Sequence, residues 1–416
     1  MSVSASPPLD LPSLDEVVSD LLERVQAVPP VELVALAQAS GRVLAERVTA
    51  RVNVPGHDNS AMDGYAVRVS DLASEGAWLP VALTVHAGDA PAELASGSAA
   101  RIFTGAPIPA GADAVVMQER CEIDGEGVRI NQIPERANNI RRAGEDIARG
   151  DTVLNAGQRL GPAEVGVLAS VGADGVPVYR CLRVAVFSTG DELVPAGEAL
   201  APGQIHDSNG PMLAALVRGL GLEAAEVGHL PDDLNVSRQR LREAAGRVDA
   251  VVTVGGVSVG DADVVKSAVE AEGELGLWQV AIKPGKPFAF GSIGSTPFFG
   301  LPGNPVSAMV TFLLLVRPFL LRQQGVAASA RPRDYPLPAG FDWSQPNAKR
   351  TEFLRVRLRD GEAGPVAELY PHQGSGVLSS MAWADGLVRV DPGEAFAAGD
   401  RVRFIPFSAL FEEGSA

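Results

Sequence analysis

Strand–helix alternation over residues 183–320 is the feature that most limits how this chain can fold. The run RVAVFS at 183–188 has the pattern of a buried strand, and a helix is predicted from about Pro211. The pattern continues with a strand at 223–228, a helix at 233–245, a strand at 250–254, a helix at 263–271 and apolar strands between 277 and 301. This alternation predicts a doubly wound, mostly parallel sheet with ligands bound at the carboxyl ends of its strands.

The segments before this region have different patterns. Residues 13–25 predict a helix, because Ser13 and Glu16 form a capping box ahead of a single apolar stripe. A second helical stretch is predicted over 31–46, interrupted by Gly41. Residues 53–145 contain short apolar runs broken by Gly, Pro and Asp, which predicts a β-rich module.

The segment after this region predicts one more small domain. Residues 322–334 have the composition of a linker. Alternating stretches then follow at 353–359, 366–370, 387–391 and 401–405, which predicts a small antiparallel β domain. The overall fold class is therefore α/β and multidomain.

Charge and cysteine usage exclude several classes of protein. With 35 basic and 51 acidic residues the net charge is −16, so the chain is a poor general binder of nucleic acid or anionic membrane. Cys121 and Cys181 lie 60 residues apart, without the spacing of a zinc site or a disulfide framework. The apolar run Met309–Val316 is too short to span a bilayer, and the first residues do not have the pattern of a signal peptide. We expect a cytoplasmic protein with neither nucleic acid nor membrane as partner.

Acidic residues follow successive strands of the predicted sheet. Glu192, Asp232, Asp261 and Asp263 lie in βα turns, together with Gly255, Gly256 and Ser258. Glycines and helix-start amides favour an anion, whereas the acids alone would repel phosphate. A Mg²⁺ ion between them resolves the conflict, and carboxylates can also accept hydrogen bonds from a heterocycle such as a pterin. Taken singly, each acid is better explained as a helix cap or first-turn residue.

Lysines are scarce and clustered. The chain has four, against 31 arginines, and Lys266, Lys283 and Lys286 lie within 21 residues. Lys283 and Lys286 flank a Pro-Gly turn that would aim two point charges, although surface turns use the same residues. The run 300–305, which includes Pro302 and Asn304, leads into a predicted helix. Its backbone amides could bind an anion, or the run could be an ordinary strand-to-helix turn without a ligand.

Two polar segments outside the predicted sheet, 55–66 and 141–147, carry more functional side chains than a connection needs. The five histidines lack the spacing of a metal site. Because Walker A and Rossmann motifs do not occur, the usual signatures of P-loop NTPase chemistry and NAD redox chemistry are missing.

Ten motifs in order carry a resemblance that extends from about residue 10 to 410. They are NSAMDGYAV (59–67), FTGAPIPAGADAVV (103–116), RRAGEDI (141–147), FSTGDEL (187–193), DSNGPML (207–213), GGVSVGDADVVK (255–266), KPGKPFAFG (283–291), GLPGNPVSA (300–308), TEFLRV (351–356) and HQGSG (372–376). The sequence resembles the molybdopterin molybdenumtransferase family, which includes bacterial MoeA and the gephyrin E domain.

The resemblance implies insertion of molybdate into adenylylated molybdopterin, with Mg²⁺-dependent release of AMP. It implies a homodimer whose cleft is shared between subunits. The implied domains are a dimerisation domain of helices and strands in two segments (1–52 and 146–182), a β-rich module (53–145), a molybdopterin-binding α/β domain (183–325) and a C-terminal β domain (335–416).

The resemblance also implies roles for individual residues. Catalytic roles fall on Asp63, Thr104, Asp146, Glu192, Asp232, Asp263, Lys283 and Lys286. Binding roles fall on Gly255, Gly256, Ser258, Asp261, Lys266, Pro302, Asn304, Arg355 and Ser375, and the metal would be held by Glu192, Asp261 and Asp263. The sequence departs from the family pattern at Gln279, where many members carry a lysine, so anion binding is expected to weaken.

Two other functions remain open at this point. The chain resembles, more distantly, single-domain molybdopterin adenylyltransferases, but these carry a GGTG-type turn where this sequence has Gly255-Gly256-Val257-Ser258. A non-enzymatic scaffold, as in gephyrin, would need an additional peptide-binding surface that the sequence does not specify. The two cysteines are expected to be core residues in any of these functions.

Overall fold

The computed structural model describes residues 11–26, 28–256, 264–327, 332–362 and 364–411. In the part before residue 183, the helices are α1 (Leu14–Glu23) and α2 (Pro162–Ser170). The strands are β1 (Val31–Ala35), β2 (Val48–Thr49), β3 (Asn59–Ser60), β4 (Gly64–Val67), β5 (Ala77–Val85), β6 (Ala99–Ile102), β7 (Ala114–Met117), β8 (Cys121–Asp124), β9 (Gly127–Ile130), β10 (Ile140–Arg141), β11 (Thr152–Leu154) and β12 (Gly175–Tyr179).

The β-rich module is confirmed between β3 and β10. Its main sheet has the strand order β7-β4-β6-β5-β9-β8. Apolar residues pack on both sides of this sheet, with Val67 and Val128 in one cluster and Ala66 and Val115 in the other. The module therefore has its own core.

The predicted helix over 31–46 is wrong. Residues 31–35 form β1, which pairs antiparallel with β12, and only a short 3₁₀ turn, Leu36–Gln38, follows. The segment contains helix-forming residues, but pairing with a strand about 140 residues later determines its conformation. The predicted second segment of the dimerisation domain, residues 146–182, also contributes β11, which pairs with β2 of the first segment.

The central domain is the predicted doubly wound sheet. Its strands are β13 (Arg183–Thr189), β14 (Leu193–Val194), β15 (Ile205–His206), β16 (Glu223–Leu230), β17 (Ala250–Val254), β18 (Gly273–Gln279), β19 (Ile282–Lys283), β20 (Pro287–Ile293) and β21 (Thr296–Leu301). Its helices are α3 (Asn209–Gly219), α4 (Leu234–Ala245), α5 (Val264–Glu272), α6 (Pro305–Thr311) and α7 (Arg317–Gln323). The strand order is β16-β13-β17-β21-β20-β18, with parallel pairs up to β21 and antiparallel pairs beyond it.

Two apolar clusters cover the two faces of this sheet. One contains residues of α3, α6 and α7, and the other contains residues of α4 and α5. The run 277–282, predicted as one strand, is divided between β18 and β19. The short strand β19 leaves the central sheet because it pairs with the C-terminal domain.

The apolar segment around Met309–Val316 belongs to a longer helix than the sequence suggested. Helix α6, a π-helical turn at Phe312–Val316 and α7 form a continuous stretch, Pro305–Gln323. By length and composition this stretch could cross a membrane, but 83% of its most apolar window is buried inside the protein. A core helix of a globular domain has this property, so the stretch is weak support for a membrane span.

Helix α1 begins as predicted and packs on the central domain. Ser13 is its N-cap, and the reciprocal hydrogen bonds of the capping box join Ser13 and Glu16. Leu14, Val18 and Leu21 are buried in the same cluster as α7. The cap therefore fixes the position of a helix that covers part of the central core.

Replacing Ser13 by alanine is expected to lower the free energy of unfolding by about 1 kcal/mol, because the amide of Glu16 loses its acceptor. Urea denaturation followed by circular dichroism measures the change. Ser74→Ala, at an exposed serine in a loop, is the control. Equal midpoints for the two variants would contradict a stabilising cap.

The C-terminal domain contains β22 (Tyr335–Pro338), β23 (Thr351–Gly361), β24 (Gly364–Leu369), β25 (Gly386–Val390) and β26 (Arg401–Pro406), with helices α8 (Ser379–Trp383) and α9 (Phe407–Phe411). The strand order is β19-β23-β25-β26-β22, and β24 pairs with β23. The predicted antiparallel domain is confirmed, except that β22 was missed. The sequence did not predict this strand because it contains two prolines, Pro336 and Pro338. Prolines are tolerated here because β22 is an edge strand of its sheet.

Candidate active site

A cleft of about 830 Å³ lies at the carboxyl ends of the parallel strands. Thr189 and Gly190 end β13, Asp232 follows β16, and Gly255 and Gly256 follow β17. The remaining described lining residues come from short strands, loops and helix starts: Glu192, Leu193, Ile205, His206, Asp207, Ser208, Asn209, Val254, Val264, Val265, Gly303, Pro305 and Gly376. The expected position of a ligand site on such a sheet is occupied by polar and glycine residues.

The acidic residues of the βα turns are partly brought together. Glu192 and Asp232 both line the cleft and are exposed. The helix-cap explanation fits the neighbour Asp233 instead, whose Oδ1 accepts the amides of Asn235 and Val236 at 2.9 Å. This assignment leaves the carboxylate of Asp232 available to a ligand.

Three of the predicted residues, Ser258, Asp261 and Asp263, lie outside the described residues. The described part of the chain holds no group of three or more His, Cys, Asp or Glu side chains arranged for a metal ion. Glu192 is the described member of the predicted metal set. The magnesium site therefore stays a prediction.

The glycines of the cleft are required by close approach and by their backbone angles. Gly255 has a φ of +90°, and a Cβ there would lie 2.6 Å from Oγ1 of Thr189. Gly256 has a φ of +63°. Any larger residue at position 255 would push β13 and β17 apart where they open into the cleft.

Asp207 and Asn209 are cleft residues that the site prediction missed. Asp207 accepts the hydroxyl of Ser188 at 2.7 Å and the amides of Asn209 and Gly210 at 3.0 Å. Asn209 donates through Nδ2 to the carbonyl of Gly303, and no described group donates to its buried Oδ1. Asp207 thus caps α3, which begins at Asn209, ahead of the predicted Pro211. The signal was the Asp-Ser-Asn run itself, which is typical of a cap.

The loop after β21 completes one wall. Pro302 is buried, and Asn304 is the N-cap of α6 but makes no capping hydrogen bond with its side chain. The amide of Val306 donates to the carbonyl of Ser375 at 3.0 Å, which joins the start of α6 to the C-terminal domain. Lys266 lies in the first turn of α5, which begins at Val264.

The Lys-Pro-Gly-Lys turn is held against α6 and the C-terminal domain. Gly285 has a φ of +107°, and a Cβ there would lie 2.4 Å from Oγ1 of Thr311. Nζ of Lys283 lies 2.9 Å from Oε1 of Glu352, whose side chain is 2% exposed. Lys286 is exposed, and no described acid forms an ion pair with it. The turn lies beside the helix that lines the cleft, and the two lysines are not equivalent.

Glu352 is a buried junction of three segments. Its Oε2 accepts Nε1 of Trp343 at 3.0 Å and the amide of Asn347 at 2.9 Å, in addition to the Lys283 contact through Oε1. Burial alone would raise the pKa of Glu352, but the hydrogen bonds from Lys283, Asn347 and Trp343 outweigh it and lower the pKa. Glu352 is therefore ionised at neutral pH.

Arg355 supports the cleft from below its surface. It is 1% exposed, and its guanidinium donates to Ser380 Oγ and to the carbonyls of Phe353 and Gly374. Burial lowers the pKa of Arg355 to about 10. The sequence assigned Arg355 to cofactor binding, but its donors are directed to the loop that carries Ser375, so its visible role is to hold that loop.

Asp63 and Thr104 lie in the β-rich module and Asp146 directly follows it, so these three predicted residues do not line the cleft. The amide and hydroxyl of Thr104 both donate to Oδ1 of Asp63 at 2.8 Å. These hydrogen bonds lower the pKa of Asp63, with the amide as the larger cause. Asp146 is exposed beyond β10, near an ion pair between Asp58 and Arg142. A single chain thus presents two separate groups of predicted residues.

The cysteines are less buried than the core positions that were expected for them. Cys121 and Cys181 are both free and half-buried. Burial raises the pKa of Cys121 to about 11, so its thiol is protonated at neutral pH and is a poor nucleophile.

Family models match three stretches of the chain. They are described as the MoeA N-terminal region (domain I and II) over residues 12–172, a probable molybdopterin binding domain over 185–322, and the MoeA C-terminal region (domain IV) over 337–407. The cleft lies in the second of these. Fold and cleft together place the chain among the proteins of molybdenum cofactor biosynthesis.

Individual relatives narrow this class. A molybdopterin molybdenumtransferase of Haemophilus influenzae is 40% identical over 402 residues, which covers 96% of this chain and 99% of the relative. Molybdopterin molybdenumtransferase 2 of Mycobacterium tuberculosis is 40% identical over 88% of this chain and 92% of its own length. The crystal structure of a molybdopterin biosynthesis MoeA protein from Pyrococcus horikoshii superposes with a TM-score of 0.82 at 30% identity and covers 95% of this chain and 100% of that one. The chain belongs to the MoeA family of molybdopterin molybdenumtransferases and is a transferase.

Proposed function

We propose that this enzyme inserts molybdate into adenylylated molybdopterin and releases AMP in the same reaction. The observation that carries the proposal is the cleft at the carboxyl ends of β13, β16 and β17, which lies in the molybdopterin-binding family region and combines glycine turns with free carboxylates. Close backbone approach at Gly255 and Gly256 suits a phosphate-bearing ligand.

The carboxylates fit a magnesium ion. Glu192 is exposed in the cleft, and no described residue pairs with its carboxylate, so its oxygens are available as hard ligands. Asp261 and Asp263 would complete the set, since Mg²⁺ is commonly bound by one or two carboxylates together with substrate phosphates. When bound, the ion would neutralise charge on the phosphates as AMP leaves.

Asp232, Asp207 and Asn209 are among the polar residues that line the same cleft. Asp207 is committed to capping α3, whereas the exposed carboxylate of Asp232 has acceptor capacity left for a donor on the ligand. We assign Asp232 to accept a hydrogen bond from an N–H donor of the substrate.

The oxyanion would meet the enzyme at the Lys-Pro-Gly-Lys turn. Lys286 supplies a free ammonium, and Lys283 retains two N–H donors beyond the one directed to Glu352. The hydroxyl of Ser375, whose backbone carbonyl accepts the Val306 amide at the start of α6, can donate to one of the remaining oxygens. Gln279 replaces one of the cations expected from the family, which makes Lys286 more important here.

Asp63, Thr104 and Asp146 would complete the site in a homodimer, because they do not line the cleft of their own chain. A second subunit that places its β-rich module over the cleft would bring the two groups together. The acidic net charge and the reduced cysteines support a cytoplasmic enzyme that uses neither nucleic acid nor membrane as a partner.

Incubation of the purified protein with adenylylated molybdopterin, molybdate and Mg²⁺ tests the proposal, with AMP followed by chromatography. We expect AMP to appear only when molybdate and a divalent ion are both present, and chelation by EDTA to stop its release. A mass measurement in solution tests the homodimer. No AMP under complete conditions would overturn the proposed reaction.

A further inference from the structure

A column of stacked side chains lies next to Asp63 and Thr104 in the β-rich module. Strands β5 and β6 run parallel with Val85 opposite Ile102, so the residues that follow them, His86 and Phe103, emerge side by side. Their rings stack with centroids 4.7 Å apart and an interplanar angle of 10°. The arrangement follows from strand register.

The column continues beneath Phe103. Cζ of Arg101 lies 4.8 Å from the centroid of Phe103 and 5.2 Å from that of Tyr65, which is its cross-strand neighbour on β4. The order from the surface inward is His86, Phe103, Arg101 and Tyr65. We call these four residues the stacking column. Its inner end is fixed, since Tyr65 is buried and Arg101 donates to the Gly64 carbonyl and to Gln118.

The outer end of the stacking column is exposed and presents a planar ring. His86 is exposed, and its amide donates to Oδ2 of Asp89 at 2.6 Å, which holds the turn that carries it. The 86–87 turn also lies against the 103–105 turn, because a Cβ on Gly105 would be 3.8 Å from that of Ala87. An exposed aromatic face on a fixed support can stack a flat heterocycle with little loss of entropy.

An acceptor for an exocyclic amino group is held by the residue that follows Phe103 in the chain. Thr104, which directly follows Phe103, occupies Oδ1 of Asp63 with two hydrogen bonds. No described group donates to Oδ2 of Asp63, and the residue is exposed. An ionised carboxylate only accepts hydrogen bonds, so it selects an amino-bearing heterocycle edge over a carbonyl edge.

We infer that the stacking column and Asp63 form a binding site for a planar amino-heterocycle, with the ring stacked on His86 and its amino group directed to Oδ2 of Asp63. This inference rests on the proposed function and deepens it. Adenine and pterin share the required chemistry, and the adenylylated substrate contains both. The site assigns the β-rich module a recognition role for one of these rings.

Calorimetric titration of the full chain with AMP, and separately with 6-hydroxymethylpterin, tests the site. We expect His86→Ala to weaken the binding of one of the two ligands about tenfold, the size of a lost stacking contact. Asp63→Asn should weaken the same ligand, because an amide hydrogen replaces an acceptor. If the variants lose affinity for AMP alone, the stacked ring is adenine. If they lose affinity for the pterin alone, the stacked ring is the pterin.

Trp78→Leu is the matched control, since Trp78 is an exposed aromatic of the same module outside the stacking column. It should bind both ligands like the wild type. Wild-type affinity of His86→Ala for both ligands would overturn the site, as would an equal loss in Trp78→Leu. If wild-type enzyme still releases AMP in that case, the proposed reaction stands without this site.

Discussion

Replacement of Glu352 by alanine is expected to lower the free energy of unfolding by about 3 kcal/mol. The carboxylate is almost fully buried and accepts three donors, from Lys283, Trp343 and the Asn347 amide. Water can replace the acceptor for Lys283, which is half-exposed, so most of the loss comes from the other two donors. Glu352→Gln keeps one acceptor oxygen and should lose less. Urea denaturation measures both.

The same interaction predicts how stability depends on pH. The pKa of Glu352 in the folded protein is lowered below its ordinary value near 4.5, so the contribution of its charge is complete above that value. It is lost as the pH falls through the lowered pKa, and the Gln variant should show a flatter loss of stability in this acid range. Glu368→Ala is the control for the loss of stability, because Glu368 also forms an ion pair with a basic residue on a neighbouring strand, but at the surface. Equal decreases in the free energy of unfolding for Glu352→Ala and Glu368→Ala would show that the buried hydrogen bonds of Glu352 do not stabilise the fold.

The central domain could be predicted because local and global signals agree there. The strand at 250–254 is apolar except for Thr253, is buried along its whole length, and has the predicted bounds. Helix α1 also begins at the predicted cap. The 31–46 segment failed because its conformation depends on β12, a contact that no local pattern reports.

The candidate site was predictable at the strand ends and less so elsewhere. Glu192, Asp232, Gly255 and Gly256 meet in one cleft because parallel strands bring their carboxyl ends to one edge. The role of Glu352 could not be predicted, because it depends on β19 leaving the central sheet to pair with β23. Arg355 was recognised by its motif, but only its burial shows that it contacts a loop and not the cleft.

Replacement of Lys286 by methionine is expected to reduce the rate of molybdate-dependent AMP release about 100-fold, the usual effect of removing one donor from a developing or bound oxyanion. Lys286 is exposed on a rigid turn, and no described acid pairs with it, so its full charge is available to the substrate. Because the side chain makes no hydrogen bond that holds the fold among the described residues, the urea midpoint should stay at the wild-type value.

Lys283→Met separates the two lysines of the turn. Lys283 bonds Glu352 and so joins the turn to the C-terminal domain, and its loss should lower both the urea midpoint and the rate. Lys349→Met, at an exposed lysine in the C-terminal domain, should change neither. A wild-type rate in Lys286→Met would show that the oxyanion binds elsewhere. The same rate loss with an equally lowered midpoint would show that Lys286 only supports the turn. Because one lysine is tied to a buried carboxylate and the other is not, stability and catalysis should respond separately to changes three residues apart.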